Sequence, residues 1–250
     1  MSPERKPYGS FDLEYYEDLT EFARRIDYFD KDGIPLSRYW YTGEIVYNPV
    51  TTAQYGLGIL QTYLKESGQE FLEEFKIISD HFLNAGEYIQ NGILVYPYYF
   101  DHIPYNLKKP WWSAMAQGQA ISVLVRAYVV THDIEYLQRA KEAFKVFELP
   151  LKEKGLAFQD EYGYWLVGIP SNPPPRILNE MIYAVYGIYD LYKITQETYY
   201  LEFFNRIVNT LKAAIHLYDT GYWSRYDLRL GLPAPEPYHR IHIRQLQKLY

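Results

Sequence analysis

The feature that most constrains the fold is a pattern that recurs every 64 or 65 residues. Tyr63, Tyr128 and Tyr192 mark this period, and each is followed by apolar residues at positions i, i+4, i+7 and i+11. These residues are Phe71, Phe75, Ile78 and Phe82 in the first unit, Tyr136, Ala140, Ala143 and Phe147 in the second, and Tyr200, Phe204, Ile207 and Leu211 in the third. The spacing predicts one buried helix face that is used three times.

A second apolar helix face precedes each of these three. It consists of Gly56, Ile59, Leu60 and Tyr63, then Ile121, Leu124, Val125 and Tyr128, then Val185, Ile188, Tyr189 and Tyr192. The links between paired helices are short and polar, with the sequences KESGQE, VTHDIE and ITQETY. Each unit is therefore predicted to be a helical hairpin. Because one antiparallel pair cannot bury its apolar face alone, successive hairpins are expected to stack.

A fourth unit begins near the end of the chain. Ile243, Leu246 and Tyr250 repeat the spacing of the first helix of a hairpin, and no second helix follows. We expect this apolar strip to be covered by a single N-terminal helix over Leu13–Ile26, or by another copy of the protein. The predicted organisation is an N-terminal segment, 1–32, with one helix, followed by a domain over 33–250.

Irregular segments separate the hairpins, at about 33–52, 92–113, 155–178 and 219–240. They contain every tryptophan of the chain: Trp40, Trp111, Trp112, Trp165 and Trp223. Hairpins joined in this way predict an all-α fold, an incomplete α/α toroid with a loop-rich rim, and loops on a rigid scaffold are where sites form. The tryptophans either offer flat faces to sugar rings or fill gaps between helix ends.

Composition excludes several classes of function. A formal net charge of −6 argues against a nucleic-acid-binding protein, and the absence of cysteine excludes disulfides and thiolate metal sites. No apolar stretch is long enough to span a membrane, and the first ten residues are polar, unlike a signal peptide. His239 and His242 form an H-x-x-H pair without a third ligand. We therefore expect a cytoplasmic protein without a metal, a cofactor or a membrane partner.

The segment from Tyr222 to Gln245 is locally basic in an acidic chain. It contains four arginines and two histidines against one aspartate and one glutamate. Arginine binds carboxylates in a bidentate geometry, so an acidic sugar is one interpretation of this segment. A solvated surface loop is the other.

Six stretches, in order, resemble the C-terminal domain of the D-glucuronyl C5-epimerases. They are GIPLSRYW from Gly33, YNPVTTAQYGL from Tyr47, WWSAMAQGQAISVLVRAY from Trp111, ILNEMIYAVYGIYDL from Ile177, YDLR from Tyr226 and YHRIHIRQL from Tyr238. The resemblance implies an α/α barrel and inversion of C5 in the glucuronate residues of heparosan, an acidic polysaccharide. Members of the family also carry a β-rich region that this chain lacks, so a homodimer or a separate β-domain partner is expected.

The resemblance also implies site residues. Tyr238 corresponds to a catalytic acid/base, Tyr226 to a second or supporting group, and Arg229 to the carboxylate-binding residue. A nearby guanidinium is expected to lower the pKa of a phenol there. Further expected substrate-binding residues are His239, His242, Trp111, Trp112, Gln117, Gln119 and Asn179.

One family feature is missing. Where the family has a Glu-Tyr pair before a proline, this chain has Gly168 and Ile169. Candidate substitutes for the lost glutamate are Glu180, Glu161, Tyr162 and Tyr164. The loss leaves three hypotheses open: a uronate C5-epimerase, a uronate lyase that ends in β-elimination, and a non-catalytic domain that binds acidic glycans.

Overall fold

The computed structural model describes residues 11–90 and 92–250, and this part of the chain is mainly helical. Its eight α-helices are α1 Thr20–Arg24, α2 Pro49–Glu66, α3 Gln69–Asn84, α4 Ala114–Thr131, α5 Ile134–Phe144, α6 Leu178–Thr195, α7 Thr198–Ala214 and α8 Glu236–Leu249. The three predicted hairpins are confirmed as α2–α3, α4–α5 and α6–α7. All twelve residues of the repeated face are buried or half-buried.

The three hairpins share one connection. Helices α2, α4 and α6 each contain 18 residues and end at Ser67, His132 and Gln196, whose φ angles are 58°, 62° and 58°. This left-handed conformation stops a helix and turns the chain back toward its start. The second helix begins within two residues, which accounts for the short polar links in the sequence.

The first helices of the hairpins form an inner row. Helix α4 packs between α2 and α6, and α8 packs on α6, while α3, α5 and α7 pack against the outside of this row. Gly118 of α4 and Gly187 of α6 lie at the crossing of these two helices, where a Cβ on either would overlap backbone of the other helix. The glycines allow these two helices to approach closely.

Small antiparallel sheets occupy three of the segments expected to be irregular, so the all-α expectation was too simple. The strands are β1 Tyr28–Phe29, β2 Pro35–Arg38, β3 Ile45–Val46, β4 Glu87–Gln90, β5 Ile93–Val95, β6 Ala157–Asp160 and β7 Gly163–Leu166. They pair in the order β1-β2-β3, β4-β5 and β6-β7. Each sheet precedes an inner helix and so contributes to the end of the molecule where those helices begin.

The expected helix over Leu13–Ile26 is wrong in its extent, since α1 covers only Thr20–Arg24. The residues before α1 instead contact the inner helices in their C-terminal halves. The buried Arg126 of α4 donates hydrogen bonds to the carbonyl oxygens of Leu13 and Glu14 at 2.9 Å and forms an ion pair with Asp190 of α6 at 2.6 Å. The guanidinium of Arg126, the carboxylate of Asp190 and the two backbone carbonyl oxygens thus satisfy one another's hydrogen bonds.

The N-terminal segment also connects α2 and α8, the first and last helices of the inner row. The Gln61 side chain of α2 donates to the carbonyl oxygen of Glu17 at 3.0 Å, and the Glu17 carboxylate binds Arg244 of α8 at 2.8 Å. The apolar strip expected on α8 is only partly covered. Leu246 packs against the core, but Ile243 is 46% exposed and Tyr250 is fully exposed.

Among the helices of the described residues, we find none with the length and apolar character that crossing a membrane requires.

Candidate active site

A cleft of about 630 Å³ opens where the inner helices begin. The residues that line it include Asn48 before α2, Ser113 before α4, Asn179 in the first turn of α6 and Tyr238 in the first turn of α8. The N-terminal ends of all four inner helices therefore meet at this cleft, and strand β2 forms one of its walls. The repeat explains this convergence, because each unit delivers the same end of its first helix to the same end of the molecule.

Tyr226 and Tyr238, twelve residues apart in sequence, meet in this cleft. Their rings pack edge to face with centroids 4.9 Å apart. Burial raises the pKa of both phenols, and the charge of Glu180 raises it further, while a hydrogen bond from Tyr226 lowers that of Tyr238. The Arg229 guanidinium does lower the pKa of the neighbouring Tyr105, but burial outweighs it, so the pKa values of Tyr105, Tyr226 and Tyr238 all lie above their ordinary value. Tyr226 and Tyr238 are both proton donors at neutral pH.

Glu180 is the titratable carboxyl group among the residues that line the cleft. Burial, and then the charge of Asp227, raise its pKa to about 8. Its Oε2 is inaccessible to solvent and has no hydrogen-bond partner within the described residues. Its carboxyl group lies against Gly168, where a Cβ would overlap Oε2.

The other candidate substitutes for the family glutamate do not line the cleft. Glu161 is exposed in the turn between β6 and β7, Tyr162 lies near His216, and Tyr164 donates to the carbonyl oxygen of Phe147 at 2.8 Å. Of the four candidates, the structure thus brings only Glu180 to the two tyrosines.

The expected carboxylate-binding residue lies beside the cleft and does not line it. Arg229 donates to the Ser171 hydroxyl at 3.1 Å, and its guanidinium carbon is 5.8 Å from the centroid of the Tyr105 ring. Sequence reasoning missed Arg38 of β2, which does line the cleft and donates to the Tyr28 hydroxyl at 2.7 Å. Arg38 belongs to the stretch GIPLSRYW, so the resemblance contained a signal for it.

The tryptophans have different roles. Trp111 lines the cleft, stacks on Tyr98 with centroids 4.0 Å apart and is only 7% exposed, whereas Trp40 lines it and is 76% exposed. Trp112 donates to the carbonyl oxygen of Lys154 and does not line the cleft, so the structure does not bring it to the site where the prediction places it. Trp165 is fully buried, and Trp223 stacks on a histidine. Only two of the five tryptophans therefore belong to the cleft.

The two glutamines of α4 do not line the cleft, so the structure does not bring them to the tyrosines as the prediction expects. Gln117 is fully buried and bonds to backbone groups of Tyr96, Leu94 and Ala143 at 2.7, 2.9 and 3.1 Å. Gln119 is also fully buried, and it contacts Tyr15 of the N-terminal segment. Gln117 therefore holds neighbouring segments in place.

The structure also does not bring His239 and His242, two further predicted substrate-binding residues, to the lining of the cleft. The Nδ1 atoms of both lie 2.8 Å from the hydroxyl oxygen of Ser224. The His239 ring stacks on Trp223, and burial, followed by the charge of His239, lowers the pKa of His242 to about 4. These contacts fix the first turns of α8, which carries Tyr238.

The sequence that builds this fold and cleft matches the C-terminal domain of a known enzyme family. The chain matches the family described as D-glucuronyl C5-epimerase C-terminus over residues 90–250. It belongs to this family.

Two curated proteins are similar in sequence. An uncharacterized protein of Methanocaldococcus jannaschii is 31% identical over 196 residues, which cover 76% of this chain and 62% of that protein. The D-glucuronyl C5-epimerase of Caenorhabditis elegans is 33% identical over 155 residues, which cover 55% of this chain and 25% of that enzyme. The chain therefore spans less than two thirds of the length of either relative.

Solved structures with low sequence identity share the fold. A D-mannose isomerase matches with a TM-score of 0.62 at 13% identity, over 92% of this chain and 63% of the other. The cellobiose 2-epimerase of Bacillus thermoamylovorans gives 0.60 at 16% identity, over 95% and 65%. A family 76 glycoside hydrolase, a mannosidase of Bacteroides thetaiotaomicron, gives 0.55 at 16% identity, over 83% and 58%.

Proposed function

We propose that this protein epimerises uronic acid residues of an acidic polysaccharide at C5, on the rim of an incomplete α/α toroid. In this proposal α2, α4, α6 and α8 form the inner ring and α3, α5 and α7 the outer layer, with the N-terminal segment between α2 and α8. The observation that carries the proposal is the meeting of Tyr226 and Tyr238 in one cleft of a chain that belongs to the epimerase family.

The reaction sets clear demands on the site. The C5 proton of a uronate is weakly acidic, and its removal builds an enediolate on the sugar carboxyl group. Hydrogen-bond donors or cations must stabilise that charge, and inversion requires one proton-transfer group on each face of the ring. In the proposal, Tyr238 is one such group, because it is a protonated phenol at the cleft with its hydroxyl bonded to Tyr226.

The cleft offers suitable groups for the sugar. Arg38 supplies a cation at the wall of the cleft, and Arg229 lies beside Tyr105 at the edge of the cleft. The two guanidinium groups are therefore our candidates for binding the uronate carboxylates. Trp40 is 76% exposed and packs on Tyr41 with centroids 3.9 Å apart. An exposed aromatic pair of this kind presents an apolar face to the ring of a neighbouring sugar unit.

The proposal is tested by incubating the protein with heparosan in deuterated water. We expect deuterium to appear at C5 of the uronate residues, measured by NMR. Tyr238→Phe should lower the rate of exchange by at least about 100-fold, the usual effect of a positioned acid/base. Tyr222→Phe is the matched control, because Tyr222 lies in the segment before α8 but is 83% exposed and outside the cleft, and it should exchange like the wild type.

Other outcomes identify the alternatives. An ultraviolet absorbance from an unsaturated uronate, without exchange, identifies a lyase. Binding of heparosan with neither signal identifies a non-catalytic glycan-binding domain. Exchange that persists unchanged in Tyr238→Phe contradicts the residue assignment.

A further inference from the structure

We propose that Glu180 is the catalytic carboxylate that exchanges the C5 proton on the face of the sugar opposite Tyr238. This inference rests on the proposed function and supplies the partner that the family pattern lacks in this chain. It starts from the unpaired Oε2 of Glu180, a buried polar atom in the cleft with no hydrogen-bond partner among the described residues. A buried polar atom without a partner requires an explanation, and the explanation that we infer is a role toward a ligand in the cleft.

The position of Glu180 in the fold supports the role. It lies in the first turn of α6, whereas Tyr238 lies in the first turn of α8, so the two groups reach the cleft from different helices. The charge of Glu180 acts on the phenols of Tyr98, Tyr105, Tyr226 and Tyr238, each of which has its pKa raised by that charge. The carboxyl group is therefore close enough to four phenols for its charge to raise their pKa values.

Gly168 links Glu180 to the missing family glutamate. The family pattern has a glutamate at the position of Gly168, and here the Glu180 carboxyl group occupies the space that a side chain at 168 would enter. The two positions are twelve residues apart in sequence but adjacent in space. We infer that the carboxylate is retained in the site and has moved from the loop after β7 to α6.

The proposed step balances as follows. The ionised Glu180 takes the C5 proton, so the C5–H bond breaks, an O–H bond forms on Glu180, and the electron pair passes into the sugar carboxyl group as an enediolate. Tyr238 then donates its phenolic proton to C5 from the other face, the enediolate electrons form the new C–H bond, and a phenolate remains. The proton of Glu180 returns to Tyr238 through water, which restores both groups.

This step also predicts a pH profile. The groups that face Glu180 are Asp227 and the four phenols, and Arg38 and His102 line the same cleft. Burial lowers the pKa of His102, so it is neutral above pH 7, and the phenols remain protonated there. Because Glu180 must be ionised to take a proton and its pKa is about 8, the exchange rate should rise with pH and level off above about pH 8.

The decisive experiment compares Glu180→Gln with Glu161→Gln in the heparosan exchange assay. Glutamine has the shape of glutamate but cannot take a proton, so Glu180→Gln should lose at least about 100-fold in exchange rate while still binding heparosan. Glu161→Gln, at an exposed site outside the cleft, should exchange like the wild type. Circular dichroism checks that both variants are folded.

The outcomes separate this inference from the proposed function. A wild type that exchanges, together with a Glu180→Gln variant that exchanges equally fast, overturns the role of Glu180 alone. A wild type without exchange overturns the proposed function and this role with it. If Glu180→Gln does not fold, the wild-type profile decides: a rate that rises toward pH 8 supports the role, and a rate that is flat from pH 5 to pH 9 overturns it.

Discussion

At the scale of single residues, the ionised form of Glu180 is less stable in the folded protein than in the unfolded chain. Its pKa is about 8 when folded, against an ordinary value of 4.5. Below pH 4.5 the group is protonated in both states, so it has no effect on the pH dependence of stability. As pH rises from 4.5 through 8, the unfolded chain releases the proton first, and the folded state loses stability.

Glu180→Gln removes this titration, so its stability should not fall across the same pH range. We expect the melting temperature of the variant, relative to wild type, to be higher at pH 9 than at pH 5. Each unit of pKa difference corresponds to about 1.4 kcal/mol, and each kcal/mol to roughly 2–4 °C in a chain of this size. Thermal unfolding at the two pH values measures the effect. If the melting temperatures of variant and wild type differ equally at both pH values, Glu180 has its ordinary pKa in the folded protein.

The sequence predicts the tyrosines of the site better than its other polar groups. The family resemblance indicates Tyr226 and Tyr238, and the structure brings them together, whereas Glu180 is only one of four candidates until the loop containing Gly168 is placed beside α6. The structure places Gln117 away from the cleft, which the sequence does not reveal because α4 is buried along most of its length. On such a helix, periodicity does not show which polar residue faces a cleft and which bonds to neighbouring backbone.

At the scale of elements, the three hairpins are predictable because each has the same two apolar faces and the same polar link. The short strands are not, because segments of two to four residues in an aromatic-rich region carry little periodic signal. Arg38 was missed for this reason, since its direction into the cleft depends on the pairing of β2 with β3, in which it lies opposite Ile45. The close crossing of α4 and α6 is not predictable from the sequence pattern either, because it depends on tertiary contacts.

Gly118→Ala tests that crossing. The added Cβ would overlap the backbone of α6 at Ala184, so the two helices must move apart. Overpacking of this kind costs about 1–3 kcal/mol, and we expect a matching loss in the free energy of unfolding, measured by urea denaturation. Lys212→Ala, at an exposed position of α7, should change it by no more than about 0.5 kcal/mol. A Gly118→Ala variant as stable as wild type would mean that the crossing tolerates separation.

At the scale of the whole molecule, Arg126 holds the N-terminal segment in place. It bonds to two backbone carbonyls of that segment and is paired with Asp190, with both side chains fully buried. Arg126→Met keeps much of the volume but leaves a buried carboxylate without its cation. Breaking a buried pair in this way costs about 3–5 kcal/mol.

We expect Arg126→Met to lower the free energy of unfolding by that amount and to make residues 11–19 susceptible to limited proteolysis. The matched control is Arg139→Met, because Arg139 pairs with Glu142 on a partly exposed helix face. This control should show nearly wild-type stability and cleavage. If Arg126→Met is destabilised but the segment remains protected, the segment is held by its other contacts, such as the ion pair of Glu17 with Arg244.

The contacts of the N-terminal segment also determine when the molecule can finish folding. A ribosome releases the chain in sequence order, so Leu13 emerges 113 residues before Arg126, and Glu17 emerges 227 residues before Arg244. Of the residues that bind positions 13–17, Gln61 of α2 emerges first, Arg126 of α4 follows near the middle of the chain, and Arg244 of α8 emerges last. The hairpins can form as they emerge, but closure between α2 and α8 has to wait until α8 has left the exit tunnel.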